Sequence, residues 1–194
     1  LTSVFRPSPM PGINRLMSSM RTRTGQIVVA RKNVMFTLKK VLREKEAIGI
    51  LADGGGKHSA VVAPFLGTAA RSVATPALLH LATGAPIAVV ACIRIGRMRY
   101  RLRLLDIIKD AGTGDREKDL VAITTRCNRA LGEAIQEAPE QWFWQSRRFR
   151  HRPPGEVLDA AGLPPIVPMD GEALARNPVA RHRSPKKDHT EQGT

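Results

Sequence analysis

A chain of 194 residues with 42% hydrophobic side chains has enough apolar material for one core of ordinary size, which predicts a single domain with tails. No stretch approaches the ~20 apolar residues of a membrane-spanning helix and the N-terminus lacks a signal-peptide pattern, so this stretch is not itself expected to insert in a bilayer. The net charge of +14 is unevenly placed: Arg6, Arg15, Arg21, Arg23, Arg31, Lys32, Lys39, Lys40 and Arg43 all precede the first acid, Glu44. Such a block points to an anionic partner, whether nucleic acid, an anionic bilayer surface or a phosphorylated substrate, or else serves solvation alone.

Leu1–Phe5 is short and β-prone, and Arg6-Pro7 ends it because proline has no donor for a sheet ladder. The chain begins on Leu, and LTSVF reads as a strand entered halfway, which predicts a missing upstream portion. From Ile13 to about Arg23, Ile13, Leu16, Met17 and Met20 recur at spacings of three and four, the pattern of one helix face, and Gly25 stops that helix. A strand over Gln26–Ala30 follows, and then a helix capped by Asn33 with Val34, Leu38, Val41 and Leu42 as its inner stripe.

The central stretch, Ala47–Phe65, consists of two apolar runs, Ala47–Ala52 and Ala60–Phe65, on either side of Asp53 and three glycines. This spells strand, loop, strand. An acid after a buried strand, followed by glycines that admit a ligand close to the backbone, is one way to build a site in an α/β sheet; an ordinary tight turn is the other reading. Downstream, Thr75-Pro76 and Gly84 bracket a helix over Pro76–Thr83, with Thr75 as its cap. Ile87–Ile93 is nearly all apolar, the pattern of a strand covered on both faces. Residues 98–104 alternate, predicting Met98, Tyr100, Leu102 and Leu104 inward and Arg99, Arg101 and Arg103 outward.

From Glu117 to Glu137, Leu120, Thr124, Cys127, Leu131 and Ile135 mark one long amphipathic helix, which Pro139 interrupts. Cys92 and Cys127 lie far apart in apolar segments without metal or redox spacing and are expected to be buried free thiols. The segment Glu140–Arg152 holds both tryptophans among arginines. Beyond Pro153 the prolines, charges and lack of periodicity predict a tail that does not repay its ordering entropy. Alternating strands and helices give an α/β layered domain over residues 1–156 and a disordered tail over 157–194.

Several blocks occur in an order that resembles a known family: VFRP at Val4–Pro7, MRTRTG at Met20–Gly25, LADGG at Leu51–Gly55, APFLG at Ala63–Gly67, ATGAPI at Ala82–Ile87 and PEQWFWQSRRFRHRPPGE at Pro139–Glu156. Together they are similar to the late lipid A biosynthesis acyltransferases of the lysophospholipid acyltransferase superfamily. The resemblance implies an αβα fold, N-terminally truncated here, at the cytoplasmic face of the bacterial inner membrane and peripheral in this fragment. The implied reaction moves an acyl chain from an acyl carrier protein or coenzyme A thioester to a hydroxyl of a glycolipid such as a lipid A precursor, with no cofactor or metal.

In that family a His with an Asp or Glu five positions later serves as general base, since a sugar hydroxyl is a poor nucleophile until its proton is taken. That motif lies upstream of the VFRP block, so the resemblance implies no catalytic residue in this chain and little activity of its own. His151 with Glu156 matches the bare spacing, but the two prolines between them keep the pair off a helical turn. His80, among apolar neighbours, reads as a core or boundary histidine.

Residue by residue, the resemblance gives Arg6 a role in binding an anionic group of substrate and places Asp53 and Gly54 at the family's Asp-Gln-Asp-like element, with Gly54 in place of Gln. Lys57 either contacts a phosphate across the glycines or is a solvated loop lysine. Trp144, Arg147 and Arg148 suit a membrane interface where rings meet headgroups and arginines meet phosphates, while Trp142 and Phe149 suit that interface or the core equally. Two other readings are a catalytically inactive remnant that binds anionic membrane and a basic nucleic-acid-binding protein. Against the latter, aromatic content is 4% and no helix-turn-helix, KH or RRM signature occurs, so no nucleic-acid partner is expected.

Overall fold

The computed structural model describes residues 1–5, 8–30, 34–55, 60–150, 156–160, 164 and 166. Arg6, Lys57, His58, His151 and most of the predicted tail lie outside the described residues. The architecture is α/β, as the alternation of elements predicts. Strand β1 (Thr2–Phe5) runs parallel to β2 (Ile27–Ala30) on one side and to β3 (Ile48–Gly49) on the other. Parallel neighbours need crossovers, and helices α1 (Pro11–Thr22) and α2 (Val34–Arg43) supply them. β3 is far shorter than the Ala47–Ala52 run suggests. It meets β1 only at Thr2 and Ser3, and beyond Gly49 the chain leaves the sheet, with Leu51 exposed.

Strands β4 (Ala60–Phe65) and β5 (Thr68–Val73) form an antiparallel hairpin closed by Leu66 and Gly67, both with positive φ, 50° and 73°, the mirror-image turn that matches strand twist. Helix α3 (Thr75–Thr83) has Pro76 in its first turn and ends on Gly84 at φ 70°, whose N–H donates to the His80 carbonyl. Thr75 is the first helical residue and Ala74 the cap, without a side-chain bond. Strands β6 (Ile87–Gly96) and β7 (Arg99–Ile108) make a second antiparallel ribbon. Helix α4 (Arg116–Glu137) starts where the Asp115 carboxylate accepts the N–H groups of Glu117 and Lys118. The core gathers around it, with Ile123, Cys127 and Ala130 packed on Ala77, Val89 and Ile108.

Two expectations for the ribbon reverse. β6 is covered on one face only: Val89 is buried, whereas Ala88, Val90 and Cys92 are exposed. On β7, Tyr100, Leu102 and Leu104 face solvent, Arg99 and Arg101 are exposed as expected, and only the half-buried Arg103 turns toward α4, where it pairs with Glu137. The reason is the helix beneath. Its last turn offers Glu137, whose carboxylate draws the Arg103 guanidinium toward α4. One extra residue near Leu105 then shifts the register and returns Ile108 to the core.

The cysteines correct likewise. Cys127 is buried, and burial pushes its thiol up to about 11, whereas Cys92 is exposed. A maleimide at neutral pH is expected to label Cys92 quickly and Cys127 only after unfolding; equal rates by mass spectrometry would contradict this packing.

Arg126 of α4 clamps β7 and the loop after it. Its Nε and Nη2 donate to the Asp106 carboxylate at 2.6 and 2.8 Å, and Nη1 reaches Asp110 at 2.8 Å. The hydrogen bond from Arg126 holds the Asp106 carboxyl below its ordinary value. A carboxyl lowered on folding stabilises the fold above its unfolded value near pH 4, and that contribution disappears as pH falls through the lower folded value. Asp106→Asn is therefore expected to cost about 1 kcal/mol at pH 7 and progressively less toward pH 2, read from urea midpoints.

Candidate functional site

The Leu51–Gly55 loop is held from behind by a buried cation. Arg148, in a short 3-10 turn (Arg147–Phe149), is 0% exposed. Its Nη1 donates to the carbonyls of Ala52 and Gly54, each at 2.9 Å. Its Nη2 donates to Asn128 Oδ1 at 2.6 Å and to Ser72 Oγ at 3.2 Å. Asn128 Nδ2 in turn donates to the Pro64 carbonyl at 2.8 Å and to Ser72 Oγ at 2.9 Å, and Ser72 donates to the Ala70 carbonyl at 3.1 Å. The guanidinium lies 3.7 Å from the centre of the Phe65 ring. One planar fork thereby joins the loop, the β4–β5 hairpin and α4.

Burial pushes the Arg148 guanidinium down, to about 10, and the Asp53 carboxylate opposes that shift. It is a cation at neutral pH. Asp53 itself is exposed, and its carboxylate approaches no donor closely enough for a hydrogen bond or ion pair among the described residues. The sequence-based expectation for Arg148 is therefore corrected. It does not face a membrane, because it is fully buried and its Nη groups donate to carbonyl, hydroxyl and amide oxygens inside the fold.

The segment that carries Arg148 is anchored by rings. Phe65 meets Trp142 at 5.5 Å and Phe149 at 5.9 Å between centroids, and Trp144 stands edge-on to Trp142 at 4.7 Å. Trp144 is 54% exposed, with its indole N–H donating to the Pro139 carbonyl at 2.7 Å. Trp142 and Phe149 are thus core packing, one of the two readings their sequence context left open. The Arg147 backbone lies in the same turn.

In front of the loop lies a cavity of about 450 Å³. Ile50, Leu51, Ala52 and Asp53 form one wall, Leu79 and His80 of α3 another, β6 a third, and Leu131, Ala134 and Ile135 of α4 the floor, with Trp142 at one end. Its size falls in the range of small-molecule sites, and its lining is apolar apart from a few groups including Asp53 and His80. His80 is no free base. Its Nδ1 lies 2.7 Å from the Ala85 carbonyl and its Nε2 2.7 Å from the Asp110 carbonyl, so the buried ring is held between two backbone oxygens. Among the described residues no cluster of three His, Cys, Asp or Glu side chains that could hold a metal occurs.

The structure thus brings together Asp53, Gly54 and Arg148, and places Trp144 beyond the ring cluster that anchors them. Sequence reasoning missed Asn128 and Ser72 altogether. The available signal was an asparagine inside the apolar stripe of α4, a polar group that a buried helix face keeps only when it is bonded.

Residues 1–151 match a family described as bacterial lipid A biosynthesis acyltransferase. Among curated proteins the chain is 26% identical over 161 residues to a lipid A biosynthesis palmitoleoyltransferase of Escherichia coli (strain K12), covering 80% of this chain and 50% of that protein. It matches a lipid A biosynthesis acyltransferase of Shigella flexneri to the same extent. The chain spans about half the length of the curated relatives it matches.

Proposed function

We propose, because this chain belongs to the bacterial lipid A biosynthesis acyltransferase family, that it forms the acyl-chain pocket and substrate-positioning loop of an enzyme that acylates a lipid A precursor at an anionic membrane surface. The donor in this reading is a thioester of acyl carrier protein or coenzyme A, and the acceptor a glycolipid hydroxyl. The carrying observation is the apolar cavity of about 450 Å³ that opens beside the Asp53 loop, a loop whose carbonyls are fixed by a buried arginine. An apolar cavity accepts a hydrocarbon chain through area removed from water. Asp53 and, outside the described residues, Arg6 and Lys57 supply the charged groups proposed to position substrate. Trp144 and Arg147 are proposed to face the membrane.

The test is binding of a long-chain acyl thioester to residues 1–194, followed by calorimetry. Saturable binding that weakens at least tenfold when Ala134→Leu fills the floor of the cavity is expected. Binding unchanged by that substitution, in a variant folded by circular dichroism, would remove the cavity from the reading.

Asp53 is proposed to position and not to abstract a proton, because an ionised carboxylate is a weak base toward an alcohol. In a chain joined to an upstream segment that carries the family's His and acid, Asp53→Asn is expected to lower acyl transfer by about tenfold. A fall of about 10³-fold or more, equal to that from removing the histidine, would make Asp53 part of the proton-transfer machinery.

A further inference from the structure

Helix α1 is built inside out. At 3.6 residues per turn Ile13, Leu16, Met17 and Met20 share one face, and all four stand open to solvent, Leu16 and Met20 each 59% exposed. The half-buried residues are instead Asn14, Ser18 and Arg21. Asn14 ties that polar side down, accepting the Ser8 N–H at 2.6 Å and donating to the Ser8 carbonyl at 2.7 Å. The Ser19 and Thr22 hydroxyls are spent on carbonyls of their own helix. An ordinary surface helix of a globular protein puts its apolar stripe on the core.

We propose that α1 lies flat on an anionic lipid surface, with Ile13, Leu16, Met17 and Met20 in the acyl layer and Arg21 and Arg23 on headgroup phosphates. Helical spacing puts Arg21 and Arg23 on opposite edges of the apolar face, where long stems cover hydrocarbon and the guanidinium groups reach the headgroup level. The charge balance selects this partner. α1 contains no acid, and none precedes Glu44. Four apolar side chains flanked by arginines fit an occupant both apolar and anionic, and an anionic bilayer surface offers both. A second copy carries the same net charge of +14 and would set arginines against arginines. Nucleic acid offers phosphates but no apolar layer for four exposed aliphatic and thioether side chains.

This inference deepens the proposed work at a membrane surface by naming the element that touches it. The test is co-sedimentation of residues 1–194 with vesicles of phosphatidylglycerol and phosphatidylcholine, beside vesicles of phosphatidylcholine alone. Binding to the anionic vesicles is expected, and Leu16→Ser with Met20→Ser should weaken it more than tenfold, as should Arg21→Gln with Arg23→Gln. Leu102→Ser with Leu104→Ser, on the exposed face of β7, should leave it unchanged. Met17→Trp should become quenchable by brominated acyl chains beyond the level of the native tryptophans. Wild-type binding that none of the α1 substitutions alters would overturn this placement while leaving the proposed membrane site intact. No wild-type binding to anionic vesicles would overturn both the placement and the membrane site. A dimer that Leu16→Ser with Met20→Ser dissolves, without vesicle binding, would give the stripe to a second copy. Acyl thioester binding in the cavity is read separately and is expected to persist in every α1 variant.

Discussion

Arg148→Ala is expected to cost about 4 kcal/mol of folding stability, read from urea denaturation at pH 7. The substitution strips the donor from the Ala52 and Gly54 carbonyls and from Asn128 Oδ1. It also opens a void beside Phe65 that the rest of the core does not fill. Each buried acceptor left without a donor loses about 1–3 kcal/mol, and partial relaxation keeps the sum below the simple total. Arg148→Lys keeps the charge but not the fork, since an ammonium does not span two carbonyls and an amide oxygen in one plane. It should recover less than half of the loss. A destabilisation below about 1 kcal/mol for Arg148→Ala would show that the guanidinium sits in the fold without holding it.

The second large effect concerns chemistry. Residues 1–194, given an acyl carrier protein thioester and a lipid A precursor, are expected to transfer acyl chains no faster than the uncatalysed background. General-base assistance supplies about 10²–10⁴-fold. Among the described residues the one histidine, His80, is buried with each ring nitrogen 2.7 Å from a backbone carbonyl. Joining an upstream segment that carries a His and an acid five positions later should bring turnover back. Robust transfer by residues 1–194 that His151→Ala abolishes would reverse the dismissal of the His151 and Glu156 pair.

Much of the fold can be read from the chain because its signals are local. The helix over Pro76–Thr83 announces itself by proline at one end and glycine at the other, and Ala60–Phe65 is a strand at the residues its apolar run marks. Where a neighbour decides, the local pattern misleads. The alternation of residues 98–104 is real, yet both sides stay exposed through Leu102, and only Arg103 turns toward Glu137 of α4, a residue the strand pattern does not contain. Ile87–Ile93 looks like a strand buried on both faces because apolar content counts as burial only when something lies across it, and only one side meets α3 and α4.

The site divides in the same way. Asp53 and Gly54 stand out because acid and glycine are chemically conspicuous in an apolar stretch. Arg148 is visible as a residue, but its sequence context points to a surface cation, since the ordinary cost of burying a charge argues for solvent. What overrides that cost is a set of oxygens from three distant parts of the chain, and no spacing rule links Arg148 with Ser72 or Asn128.

That long reach has a consequence for how the molecule acquires its shape. The guanidinium of Arg148 closes contacts across 96, 94 and 76 residues of sequence, to Ala52, Gly54 and Ser72. Contacts of such separation form after local ones, because the entropy of closing the intervening loop comes due before they reward it. During synthesis, which runs from the N-terminus, the hairpin, α3, the ribbon and α4 are all made before the residue that locks them. Until then the Ala52–Gly54 carbonyls look to water and the cavity walls have no fixed spacing. The shape of the pocket is therefore set late and all at once, and a chain interrupted short of Arg148 lacks the lock on it.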